Sequence, residues 1–147
     1  MRHLFAYILT GVSMLLTSCN IETSDNGTLD GYWHLVRVDT LATGRSSDQS
    51  EARVFWGVQM RLIEAVDHDH DTGHYGYLFN FEHQGQTLRL YNGHKHERAD
   101  GDLLVEDAAT LAPLGISSLD ELFTIEQLDS GGMVLRDDRL RLWFEKM

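Results

Sequence analysis

The chain is short of several things. It has one cysteine and one proline in 147 residues, and 12 Lys and Arg stand against 23 Asp and Glu. A lone cysteine excludes an intrachain disulfide, so the core must hold the fold unaided. The formal charge of −11 repels phosphate backbones, and no basic run offsets it, so nucleic acid is excluded as a partner. There is no phosphate-cradling glycine loop, nucleophile elbow or metalloprotease helix, and no spacing of Ser, His and Asp nominates a triad. Catalysis and a bound cofactor are therefore not expected. Internal repeats and low-complexity tracts are also missing. What remains, 42% hydrophobic and 24% charged, is the composition of one globular domain with a real core.

One long apolar run occurs, Leu4 to Leu16, broken by Thr10 and Ser13 and preceded by Arg2 and His3. It is too short to span a membrane and suits a secretory leader. It ends in Leu16-Thr17-Ser18-Cys19, which resembles the lipobox of bacterial lipoproteins. That resemblance implies cleavage after Ser18, a signal peptide over residues 1–18, and a diacylglycerol on Cys19 that anchors the protein to a membrane. Asn20 is not the aspartate that retains such lipoproteins in the inner membrane, so the resemblance implies the outer membrane, with either face open. Residues 19–30 are polar and read as a flexible, lipidated tether, leaving 31–147 as the folded domain.

From Gly31 onward the hydrophobic period is two. Gly31-Tyr32-Trp33-His34-Leu35-Val36-Arg37-Val38 reads as a first strand entered at a glycine corner. Val54, Trp56, Val58, Met60 and Leu62 form one apolar row, read as a single long half-buried strand. Tyr75, Tyr77, Phe79 and Phe81 repeat the pattern, and Gln84-Gly85-Gln86 turns the chain into Leu88 and Leu90. Asn92-Gly93 is a turn signal. Leu103–Val105, Phe123–Leu128, Met133–Arg136 and Leu140–Phe144 complete seven or eight strands with short connections. The expectation is an all-β, small antiparallel up-and-down barrel. Thr40 to Ala52 reads as a loop or short helix over the barrel mouth. Ser118-Leu119-Asp120-Glu121 has capping-box spacing and predicts a helical turn.

Gly31-x-Trp33 at the head of the first strand, with Arg139 or Arg141 on the last, is similar to the lipocalin arrangement. The resemblance is closer to the lipocalin-like domains of bacterial cell-envelope lipoproteins. It rests on Trp33-x-Leu35-Val36, Val54-Phe55-Trp56, Leu111-x-Pro113-x-Gly115-Ile116, Met133-Val134-Leu135 and Leu140-x-Leu142-x-Phe144-x-Lys146. It implies that Gly31, Trp33 and one of the two arginines close the barrel base, the guanidinium lying across the indole. The second lipocalin motif is missing, and no segment after the last strand matches the helix that packs beside a lipocalin barrel.

An eight-stranded barrel either fills with side chains or holds one small ligand. Trp33, Trp56, Val58, Met60, Phe79 and Phe81 are thus either core or the lining of a pocket for a small apolar ligand. In the filled case the protein acts as an interaction or scaffold module for an envelope protein or glycan, through outer aromatics such as Phe55, Tyr91 or Trp143. The densest polar stretch is Asp67-His68-Asp69-His70-Asp71-Thr72-Gly73-His74. It reads as a solvated hairpin tip, or as a weak transition-metal site through His68, His70 and His74. His94-Lys95-His96-Glu97-Arg98 is a second charged loop, which would join a site only if folding brings it beside these histidines.

Overall fold

The computed structural model describes residues 23–99 and 101–147; the segment read as a signal peptide and Cys19 lie outside them. Nine antiparallel strands form one sheet: β1 (Gly31–Thr40), β2 (Arg45–Asp48), β3 (Val54–Gln59), β4 (Leu62–Asp67), β5 (Tyr77–Gln84), β6 (Thr87–Lys95), β7 (Glu121–Leu128), β8 (Gly132–Arg136) and β9 (Leu140–Lys146). Pairing runs β2-β1-β3-β4-β5-β6-β7-β8-β9, and a β1–β9 ladder closes the ring. Eight strands make the expected up-and-down barrel, with β2 an additional flap. Among the described residues there are also two short 3-10 segments, η1 (Gly27–Leu29) before β1 and η2 (Ala108–Leu114) between β6 and β7.

Alternation decides which side of each strand turns inward. Trp33 and Leu35, Val54, Trp56 and Val58, Ile63 and Ala65, Phe79, Leu88 and Leu90, Phe123, Met133 and Leu135, and Leu142 and Phe144 are all buried. Trp56 packs against Phe144 and Phe123 with ring centroids 4.9 and 5.9 Å apart. Each indole removes roughly 4–6 kcal/mol worth of apolar surface from water, so the two tryptophans anchor the core. Both barrel ends are capped. Leu29 of η1 is fully buried at the end where β1 begins, and Leu111, Leu114 and Ile116 close the end crossed by η2.

Several local expectations change. The apolar row from Val54 to Leu62 is two strands, because Gln59 pairs with Leu62 and the chain reverses at Met60-Arg61. Met60, at φ 54°, is 44% exposed and does not line the interior. Its unusual backbone is held from outside: its N–H donates to Ser24 Oγ (2.6 Å), and its carbonyl accepts from Asn26 Nδ2 (2.8 Å). Ser24 and Asn26 also bind the Asp30 carboxylate. Residues 24–30, within the segment read as a tether, pack onto the barrel through this polar clasp and Leu29.

Thr40 to Ala52 holds β2, which takes the edge of β1 from Arg37 to Thr40, where β3 no longer runs alongside. Asn92-Gly93 is not a turn. Both residues sit within β6 opposite the single residue Phe79, in a bulge where Asn92 has φ 56° and the Phe79 ring lies against the bare Cα of Gly93. Ser118 starts no helix. Half of the capping box survives as Glu121 Oε2 accepting from the Ser117 and Ser118 N–H groups, after which the chain enters β7.

Candidate functional site

The barrel base is closed by a cation on Trp33, but the cation is Lys146. Its Nζ lies 4.9 Å from the Trp33 ring centre and donates to Thr28 O. The reason is register: Trp33 pairs with Lys146 in the β1–β9 ladder, whereas Arg141 pairs with Asp39 toward the other end. Arg141 instead binds Glu126 on the outer wall (2.6 Å), and Arg139 occupies the β8–β9 turn, where its N–H donates to Asp137. Gly31 is needed for the closure. Its φ is 133°, and a Cβ there would come within 2.6 Å of Lys146 Cε.

Of the residues expected to line a pocket, Trp33, Trp56, Val58 and Phe79 are at most 3% exposed and touch one another or other core side chains. Phe81 packs partly buried on that core. Both indole N–H groups are satisfied by backbone, Trp33 by Leu29 O (2.9 Å) and Trp56 by Leu114 O (3.1 Å). These side chains fill the interior.

The histidines of the β4–β5 loop do not converge. His70 Nδ1 pairs with Asp67 (2.7 Å), His74 Nδ1 bonds Gly76 O while its ring stands edge-on to Tyr77, and His68 leans on Phe55. Among the described residues no group of three or more His, Cys, Asp or Glu is placed to hold a metal ion.

Concave space lies on the outer wall of β1, β3 and β4. Tyr32 and Phe55 stack at 5.0 Å and 10°, and His34 stacks on Phe55 at 4.7 Å. Tyr32 pairs in register with Gly57, over which its ring lies flat. Next to this platform a depression of about 330 Å³ is lined by Tyr32, Glu64, Val66, His68, Tyr75, His96 and Arg98. Glu64 Oε1 contacts His96 Nδ1 at 2.6 Å, and the His96 ring tilts against Tyr75 at 5.5 Å. Burial, helped by the charge of Glu64, raises the Tyr32 pKa above its ordinary value of 10.0, so the phenol stays a neutral donor. Folding thus brings His96 and Arg98 beside His68, and Glu97 and Arg98 beside His74.

Among the described residues the barrel is closed by the β1–β9 ladder, its interior is occupied by buried aromatics, and the aromatic depression lies on its outer wall. The chain belongs to the lipocalin-like domain family, whose model matches residues 14–147. Two solved structures share the fold. A lipocalin-like protein from Bacteroides uniformis ATCC 8492 is 20% identical, with TM-score 0.62 over 82% of this chain and 100% of its own. An uncharacterized protein from Bacteroides eggerthii DSM 20697 is 15% identical, with TM-score 0.54 over 80% and 98%. None of the curated proteins matches the sequence.

Proposed function

We propose that this protein is a lipid-anchored, non-catalytic binding protein of the bacterial cell envelope whose recognition surface is the outer wall of its barrel. One observation carries the reading: Trp33, Trp56, Phe79 and Phe123 occupy the interior where a lipocalin-type ligand would sit, while the aromatic depression at Tyr32 and Glu64 is open. The Leu16-Thr17-Ser18-Cys19 motif supports the anchor, and the clasp of Ser24 and Asn26 on the barrel base supports an orientation with that base toward the membrane. This orientation leaves the outer wall accessible.

Two measurements test it. Full-length protein made in a Gram-negative host with labelled palmitate takes up label that Cys19→Ser loses; equal labelling of the variant overturns the anchor. Titration of the purified protein with palmitate and with retinol leaves tryptophan fluorescence unchanged. Stoichiometric quenching by either ligand, with retained secondary structure, returns the ligand to the interior.

A further inference from the structure

Other aromatics on the outer wall are covered by arginines. Arg89 lies over Tyr91 at 4.7 Å, and Arg37 over Trp143 at 4.9 Å, whose indole N–H also donates to Asp39. Among the described residues no Lys or Arg covers Tyr32, Phe55 or Tyr75 in this way. Tyr32 is 41% exposed and Tyr75 is 65% exposed, and both line the depression. The same depression is lined by an acceptor, Glu64, by His68 and His96, and by Arg98. The space continues toward the barrel base as a depression of about 630 Å³ that shares Tyr32 and Glu64 and runs over Gly57, Leu62 and Leu78. The upper part alone is at the low end of the roughly 300–1,000 Å³ typical of small-molecule sites.

The chemistry selects among ligand classes. A fatty chain laid here would strip water from Glu64 and His96 without replacing their hydrogen bonds. A phosphate or other polyanion meets a single arginine beside Glu64, within a chain carrying −11. A metal ion lacks a third ligand among the described residues. A sugar meets both demands at once. Its C–H faces pack on exposed aromatic rings, and its hydroxyls donate to a carboxylate and accept from guanidinium and phenol groups. We infer that the outer-wall groove is a saccharide subsite, taking a neutral mono- or disaccharide unit between Tyr32 and Tyr75 with Glu64 and Arg98 on its hydroxyls. The inference rests on the outer-wall reading above and narrows it to one ligand class.

The test is calorimetry on the full-length protein in detergent micelles. The probes are neutral oligomers of glucose, mannose, galactose and N-acetylglucosamine, an oligouronate, and palmitate. At least one neutral sugar binds; Tyr32→Ala weakens it about tenfold or more and Glu64→Gln by about fivefold. Tyr32→Phe, which keeps the ring should the alanine variant misfold, retains most of the affinity. Tyr91→Ala, on the arginine-covered part of the wall, leaves it unchanged. Sugar binding indifferent to Tyr32 and Glu64 overturns the placement. Binding of the uronate or palmitate alone, lost in Tyr32→Ala, overturns the saccharide class while outer-wall recognition stands. If no probe binds, the saccharide assignment fails; if palmitate binds with quenching of the core tryptophans, outer-wall recognition fails with it.

Discussion

Trp33 and Trp56 face each other across the β1–β3 ladder, yet their indole N–H groups reach carbonyls at opposite ends of the barrel, Leu29 O in η1 and Leu114 O in η2. One rung of the sheet thus fastens both caps, which is why two short 3-10 segments with little structure of their own stay closed. Replacing either indole with phenylalanine leaves a buried carbonyl unpaired and a gap beside it.

Each Trp→Phe variant is expected to lose about 2–3 kcal/mol in urea unfolding. The informative readout is amide exchange, because the two losses fall at different ends. Trp33→Phe speeds exchange around Asp30, whose N–H donates to Gly27 O, and Trp56→Phe around Gly115 and Ile116, whose N–H groups donate back into η2. Uniform acceleration across the barrel in both variants would show that the caps are not separately fastened.

Gly31 and Lys146 make the second prediction. At φ 133° any side chain is strained, and the nearest obstacle is the lysine that covers Trp33. Gly31→Ala is expected to cost about 1–3 kcal/mol. Lys146→Met, which keeps the stem and removes the charge, should cost about 0.5–1 kcal/mol. Arg139→Ala and Arg141→Ala, remote from Trp33, leave its fluorescence as it is; a change there equal to that in Lys146→Met would restore an arginine to the base.

How much of this was readable in the chain follows from where the information lies. Strands with one buried face announce themselves, so β1, β3, β5, β6, β7, β8 and β9 follow from alternation. β2 does not, since Arg45-Ser46-Ser47-Asp48 is exposed throughout and owes its strand to the free edge of β1. The reversal at Met60-Arg61 carries no Gly, Asn or Pro, and its backbone is stabilised by Ser24 and Asn26, far away in sequence. A base-closing cation was foreseeable, but the choice between Arg141 and Lys146 depends on register and a β1 bulge between Leu35 and Arg37. Phe55 was visible as an outer aromatic. The depression beside it is lined by Tyr32, Glu64, Tyr75 and His96, from four separate segments that only the pairing of the sheet brings together.

The β6 bulge gives a third prediction. The Phe79 ring fills the space where a side chain at 93 would go, with Cε1 at 2.7 Å from the Cβ position. Gly93→Ala therefore pushes a core aromatic off its rotamer and is expected to cost about 1–3 kcal/mol in thermal or urea unfolding. Asn92→Gly, which relieves a positive φ of 56°, should be neutral or slightly stabilising, whereas Asn92→Val is destabilising. If Gly93→Ala and Phe79→Leu together cost no less than the sum of the single variants, the contact is not what constrains position 93.

Acid stability supplies the last prediction, from two carboxylates with opposite signs. Burial alone would raise the Asp39 pKa. Hydrogen bonds from Arg37, Ser46 and Trp143 Nε1, with the Arg37 charge, overcome it and hold the group at about 2, below its ordinary 3.8. The unfolded chain protonates first, so the stabilisation from Asp39 is complete above pH 3.8 and is lost as pH falls from there to about 2. It amounts to about 1–2 kcal/mol once the half-exposed Arg37 is allowed for. Glu121 behaves inversely. Burial raises its pKa above 4.5, the Ser117 and Ser118 N–H groups oppose the rise, and the charges of Asp137 and Asp138 add to it. Its ionisation therefore penalises the folded state increasingly as pH climbs through 4.5 toward the raised value. Asp137 Oδ2, buried and without a hydrogen-bond partner among the described residues, sharpens that repulsion. Asp137→Asn keeps the acceptor for the Arg139 and Leu140 N–H groups and removes the charge. Urea unfolding from pH 2 to 8 is expected to show Asp39→Asn flattening the acid limb, and Asp137→Asn gaining stability relative to wild type only above pH 4.5. A gain for Asp137→Asn that is already complete at pH 3 would mean that Glu121 is not the group it relieves.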